Sequence, residues 1–353
     1  MKFESEIRLL KLLVAGDRQQ VATLVLSRNI DFRQLEVFLE TEHLADFFLA
    51  LLEDHRLLKL FPGYLRNQLQ WLREHHQTRH IQLQQTMSRL QCMFAQNDIE
   101  LIVLKGLPLA ERYWGGTDRR FVWDLDLLIK PEDLEKAICL TNAAGFAPVS
   151  ARFLPRSIAI RLTHATELTA DDTAVDLHWA FRRRPGFRIN YQGVWQRALT
   201  WHYDSVEYKI PSAEDSLLIM LLGIAQDAER GHCSYRKLWD IYLWLRAEQD
   251  IDWQAFIRRC KDEGVAVLCL NMLALTVLAL DCAAEFPQLQ VLLQDRQDSV
   301  SCSAAEVEII LSRSRQHLGN RLWFARLQAV PAWYYLIWWT LTAPMRYLLG
   351  RNI

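Results

Sequence analysis

FVWDLDLLIK, residues Phe121 to Lys130, places two carboxylates inside an otherwise apolar run. The apolar residues are what a buried strand requires. Asp124 and Asp126 are what such a strand avoids, because an unpaired buried charge is expensive. Residues i and i+2 of a strand share a face, so the two carboxylates project side by side, with Trp123 and Leu125 opposite. Held that close, they repel and raise one another's pKa. A divalent cation removes the conflict. Hard oxygen ligands suit Mg²⁺ or Mn²⁺, and Mg²⁺ typically takes one or two carboxylates together with substrate phosphates.

The neighbouring sequence supplies the rest of a small αβ unit. Upstream, IELIVLKG is a short β-branched strand closed by Gly106. LPLAERYW then starts a helix with Pro108 in its first turn. Downstream, KPEDLEKAICLTNAAGF is a helix with acids near its start and Gly145 at its end. THATELTADDTAVDLHWAF reads as two strands around a turn at Asp171 and Asp172. The second of these strands holds Asp176 and His178 on one face. Placed beside the first, it brings a third carboxylate, and three carboxylates on adjacent strands can clamp two metals about 3.5–4 Å apart. His178 has three readings: it orients Asp176, contacts phosphate or fills a gap. Phosphate donors are at hand in Lys105, in the backbone N–H groups near Gly106 and Leu107, and in Arg119 and Arg120.

Both flanks are helical in texture. The spacing predicts three parts: a helical region over 1–97, an αβ core over 98–210 and a helical region over 211–353. The expected class is therefore α+β, predominantly helical, with a small mixed sheet between helical arms. LRNQLQWLREHHQTRHIQLQQTMSRLQCMFAQN reads as one long amphipathic helix, and Ser212 with Asp215 as an approximate capping box.

The chain has 353 residues, enough for two or three domains. A formal net charge of -1 leaves no global basic field, so nucleic acid is not an expected partner. The seven cysteines include no C-x-x-C pair and read as reduced, which points to a cytoplasmic protein. The N-terminus is too charged for a signal peptide. His76 and His80 have the i, i+4 spacing of a zinc pair but lack a third ligand, and read as a solvated helix face. THATEL brings His164 and Glu167 near the site; His164 reads as a substrate contact or, the favoured of the two, as a satisfied core histidine. His232, Arg236 and Asp240 either line an acceptor side or form a helix–helix salt bridge.

The order of these pieces is similar to a known family. VLKGLPLAERYW, Arg120, DLDLLIKPEDLEKAICLTNAAGF, AVDLHWAF, PSAEDSLLIMLL and YRKLWDIYLWL together resemble the uncharacterised bacterial nucleotidyltransferase-like proteins of the polymerase-β superfamily. The resemblance covers roughly 99–246. It implies a metal-dependent enzyme that moves a nucleoside monophosphate from an NTP to an unknown acceptor hydroxyl. Asp124, Asp126 and Asp176 would bind the metal, with Lys105, Gly106, Arg120 and His178 on the substrate side. The alternative is a catalytically silent nucleotide-binding or scaffold protein of a membrane-associated biosynthetic system. One departure stands out. The superfamily's phosphate loop is a Gly-Ser or Gly-Gly pair shortly before the aspartates, whereas here Lys105-Gly106 closes the strand and Gly115-Gly116 lies in the later loop.

The C-terminus is rich in the chain's thirteen tryptophans and has no formal charge between Arg326 and Arg346. Pro331 and Pro344 interrupt it, and Trp and Tyr favour the lipid–water interface over the bilayer centre. It reads as a helix docked on the protein's own core, as a peripheral contact, through 327–349, with the inner membrane, or, last of the three, as a true span. Liposome flotation with and without 327–353 separates the first from the others. A membrane contact predicts loss of flotation on truncation, and equal recovery removes it.

Overall fold

A computed structural model describes residues 3–149, 163–170, 173–182, 184, 186–230, 233–300, 302–311 and 340. The chain opens with α1 (Glu4–Ala15), α2 (Arg18–Leu26), α3 (Phe32–Thr41), α4 (Ala45–Asp54) and the long α5 (Gly63–Ala95). Asp17 and Asp31 cap α2 and α3 by accepting from backbone N–H groups of the first turn. Helix α5 buries Leu65, Leu69, Leu72, Leu83, Met87, Leu90 and Phe94, all at helical spacing, as its sequence predicts.

The middle of the chain contains β1 (Leu101–Val103), α6 (Leu107–Tyr113), β2 (Asp124–Ile129), α7 (Leu134–Ala143), β3 (Ala147–Pro148), β4 (Ala165–Ala170), β5 (Thr173–His178), α8 (Tyr191–Arg197), β6 (Leu199–Tyr203) and β7 (Val206–Ile210). Then come α9 (Ala213–Glu229), α10 (Tyr235–Ala247), α11 (Trp253–Asp262), α12 (Ala266–Ala279), α13 (Pro287–Asp295) and α14 (Ala304–Leu311). The class is α+β and mostly helical. Asp171 and Asp172, His232 and the aromatic segment 327–349 lie outside the described residues, Thr340 apart. Among the described residues no helix is long and apolar enough to cross a membrane.

The strands form one mixed seven-stranded sheet in the order β3-β4-β5-β2-β1-β7-β6. β2 is central: antiparallel to β1 and parallel to β5. The β6–β7 hairpin went unread in the sequence. Its signal is present: Trp201 and Tyr203 alternate, Val206, Tyr208 and Ile210 alternate, and Asp204 and Ser205 between them take φ of 50° and 63°, the left-handed pair of a tight hairpin turn.

The two faces of β2 have different partners. Leu125, Leu127 and Ile129 join a core with Leu83, Met87, Leu90 and Phe94 of α5 and with α7. Leu128, with Ile102 and Leu104, joins a second core that unites the N-terminal helices with α9 to α13. Asp124 and Asp126 share the Leu128 face, so the fold turns both carboxylates toward the C-terminal helices.

Residues leading into β2 are pinned from that side. Asp240 of α10 accepts from Arg120 Nε at 2.7 Å and Nη2 at 2.8 Å, and from Trp114 Nε1 at 2.9 Å. Both members of this ion pair are buried. Removing one partner of a buried pair strands the other charge, which typically costs about 3–5 kcal/mol. Asp240→Ala is therefore expected to lower unfolding free energy by about that amount in a urea titration, and Arg120→Met/Asp240→Leu to recover most of it. A change below about 1 kcal/mol in the single variant would be the value of a surface pair and would contradict the structural role.

Candidate functional site

Parallel pairing places Asp124 opposite Ala174, Asp126 opposite Asp176 and Leu128 opposite His178. The two aspartates of β2 and the aspartate of β5 thus share one face of adjacent strands, as their spacing predicts. Beyond β5, Glu167 of β4 lies opposite Asp176, and its side chain is exposed.

Ligand atoms of Asp126, Asp176 and His178 all lie within 4.8 Å of one another. Asp124 is not part of this tight group; it lines the adjoining pocket instead. His178 Nε2 stands 3.0 Å from Asp126 Oδ1, a contact that none of its three readings named. Lys105 Nζ stands 3.0 Å from the same oxygen. His164 is buried beside His178, with ring centroids 6.0 Å apart, and its Nδ1 has no hydrogen-bond partner. It lines the pocket, which a satisfied core histidine would not.

Electrostatics follow from this packing. Burial alone would raise Asp126, but Lys105 and His178 outweigh it and hold the carboxyl well below the usual range. Lys105 is raised in turn: burial opposes its charge, and Asp126 and Asp124 more than compensate. Asp124 is raised by burial and by Asp126. Burial pushes Asp176 up to about 7, with Asp126 and Asp124 adding to the shift and His178 opposing it. Three carboxyls on this face therefore share one lysine, Lys105. Oxygen donors with one imidazole, short of positive charge, fit a hard divalent cation. The Lys105 side chain is 37% exposed, so solvent reaches this edge of the group.

Above this floor lies a pocket lined by Lys105, Gly106 and Val122 on the sheet side and by Met220, Gln226, Arg236 and Asp240 of α9 and α10. Gly106 is required at its position. Its φ is 80°, and a Cβ there would sit 3.0 Å from Val122 Cγ1. Lys105-Gly106 lines the pocket; Gly115-Gly116 does not. Arg120 reaches the pocket wall with its fork engaged by Asp240. Arg119 faces away, paired to Asp54 at 2.6 Å and 3.2 Å. His76 pairs with Asp46 at 2.7 Å, a tertiary tie and not a zinc ligand pair. Arg236 and Asp240 both line the pocket, and Asp240 also closes a salt bridge, though its partner is a loop arginine and not a second helix.

A family profile described as uncharacterised nucleotidyltransferase matches residues 28–281. The chain belongs to this family. Among solved structures, an antigenic nucleotidyltransferase-like protein from Paracoccidioides brasiliensis is similar at 17% identity, over 65% of this chain and 93% of that one, with a TM-score of 0.32. Curated proteins give no match. For this family member the carboxylate face of β2 and β5 is the candidate active site.

The raised Asp176 gives the donor set a pH signature. Below about 7 its carboxyl is protonated, and a cation must displace that proton to bind. Mn²⁺ affinity is therefore expected to rise about tenfold per pH unit up to neutrality and then level off, as read by calorimetry. Asp176→Asn should flatten the slope. The metal-free protein should show the converse trend. A carboxyl raised in the folded state binds more protons there than in the unfolded chain, so stability falls as pH rises toward 7.

Proposed function

We propose that this protein is a metal-dependent nucleotidyltransferase, acting on a nucleoside triphosphate and an acceptor hydroxyl. The observation that supports this reading most is the in-register Asp126–Asp176 pair, whose Asp126, with Asp124 two residues before it on the same face, lines a pocket walled by cations. Asp124, Asp126 and Asp176 would hold Mg²⁺ or Mn²⁺, with His178 beside them, and such ions neutralise phosphate charge and orient the reacting oxygens.

The chain's own residues would do the following. Asp176, in register beside Asp126, would take the proton of an acceptor hydroxyl. The hydroxyl oxygen bonds to the α-phosphorus, the bond from that phosphorus to the bridging oxygen breaks, and pyrophosphate leaves. Lys105, released from Asp126, would turn its charge to phosphate, and backbone at Gly106 allows phosphate a close approach. Arg120 adds positive potential from the wall while Asp240 keeps it in place. The reaction would run in the cytoplasm, with a peripheral inner-membrane contact through 327–349 as a further part of this reading.

A second reading, a catalytically silent nucleotide-binding protein, draws support from the Lys105–Asp126 contact at 3.0 Å. An internal cation on a metal-ligating oxygen, together with the departure from the Gly-Ser loop, fits a site kept for binding alone. Turnover separates the two. Calorimetric titration of ATP, GTP, CTP and UTP with Mg²⁺ names the donor, and pyrophosphate release shows transfer. Asp124→Asn is expected to abolish metal-dependent pyrophosphate release while circular dichroism stays unchanged. Full activity in that variant would sink the site assignment, and saturable binding without release would favour the silent reading.

A further inference from the structure

Four cationic side chains line the pocket: Lys105, Arg120, Arg236 and Lys237. Three are committed. Lys105 pairs with Asp126 at 3.0 Å, Arg120 with Asp240 at 2.7 Å and Lys237 with Asp227 at 2.8 Å. Among the described residues Arg236 makes no ion pair. Its Nη1 donates to the Phe121 carbonyl at 3.2 Å, and its Nε is buried without a partner. A guanidinium has five N–H donors in a planar fork, so most of this fork's capacity is unspent.

The surroundings make that costly. Burial first, and then repulsion from Arg120, pull Arg236 down to about 10, against the attraction of Asp240 and Asp124. Arg236 and Asp240 are one turn apart on α10, hence on one face. Asp240 spends its charge on Arg120 and leaves Arg236 short of an anion. Of the pocket's cations it is the one whose desolvation a ligand would repay.

We infer that Arg236 is the clamp for the β- and γ-phosphates of a nucleoside triphosphate bound in this pocket. This rests on the nucleotidyltransferase reading above. An arginine suits the task because its fork engages two phosphate oxygens at once, which a lysine cannot do. The division of labour is then clear: Asp124, Asp126 and Asp176 work at the α-phosphate, and Arg236, across the pocket on α10, grips the leaving pyrophosphate portion.

The competing role is positional. Arg236 holds the Phe121 carbonyl and so helps set the path into Asp124. Calorimetry in Mg²⁺ with ATP, AMP and tripolyphosphate, on wild type, Arg236→Gln and Arg236→Lys, distinguishes them. The clamp predicts that Arg236→Gln weakens ATP and tripolyphosphate about 10- to 100-fold, the worth of a charged hydrogen-bonding partner. AMP should bind as to wild type, and Arg236→Lys should recover part of the loss. Equal weakening of ATP and AMP would assign a positional role and overturn the clamp; so would unchanged ATP binding. If wild type itself binds none of ATP, GTP, CTP and UTP, nor tripolyphosphate, the nucleotidyltransferase reading fails and the clamp falls with it. Wild-type binding with an indifferent Arg236→Gln removes the clamp alone.

Discussion

Asp126 and Asp176 stand directly across a parallel strand pair, and negative charge in that position has to be balanced. Like charges a strand apart cannot both ionise in a buried setting without help. The chain answers with a cation and an imidazole on one oxygen, Lys105 and His178. They suffice for Asp126 and leave Asp124 and Asp176 raised. The imbalance sits at the floor of an open pocket, not in a closed core. An interior that needed only stability would do better with apolar residues of similar volume. A binding site needs the deficit, because a ligand can then supply what the fold withholds.

That deficit depends on how β2 is shared between two cores. Leu125, Leu127 and Ile129 secure the strand against α5 and α7. With one face fully apolar, the register cannot slip by a residue without burying the carboxylates on the wrong side. The other face is then free to hold Asp124 and Asp126. The same period places Asp176 and His178 on one face of β5 while Val175 and Leu177 fill the core. Alternation along two strands and their parallel pairing are enough to gather the group.

This explains which parts were legible in the sequence. The D-x-D pair, the third strand carboxylate and the strand–Lys-Gly–helix turn are local patterns, and local periodicity reports faces directly. Arg120 was legible as a cation near the aspartates, but its partner lies 120 residues away. No local signal announces that Asp240 will claim its fork. The same holds for Arg236, whose significance comes from a carboxylate being spent elsewhere. For His164 the sequence leaves substrate contact and satisfied core residue both open and favours the second, because burial is inferable and the missing partner of Nδ1 is not. Tertiary pairing decides which polar groups are free, and sequence spacing does not report it.

Helix α10 is where these threads meet. Its Asp240 ties Arg120 and Trp114, its Arg236 holds the Phe121 carbonyl, and its Tyr235 N–H donates to Glu42 at the end of α3. One helix thereby joins the N-terminal arm, the lead-in to β2 and the wall facing the carboxylates. Trp239, Tyr242 and Trp244 of the same helix are fully buried, so it cannot shift without disturbing the shared core. The distance across the pocket, from the sheet's carboxylates to α10's guanidinium, is set by that core and not by a mobile loop. A site built this way is preorganised: the helical arms that make up most of the chain hold two opposite charges apart at a fixed separation, and a ligand with an anionic tail and a metal-binding head is the kind that satisfies both ends.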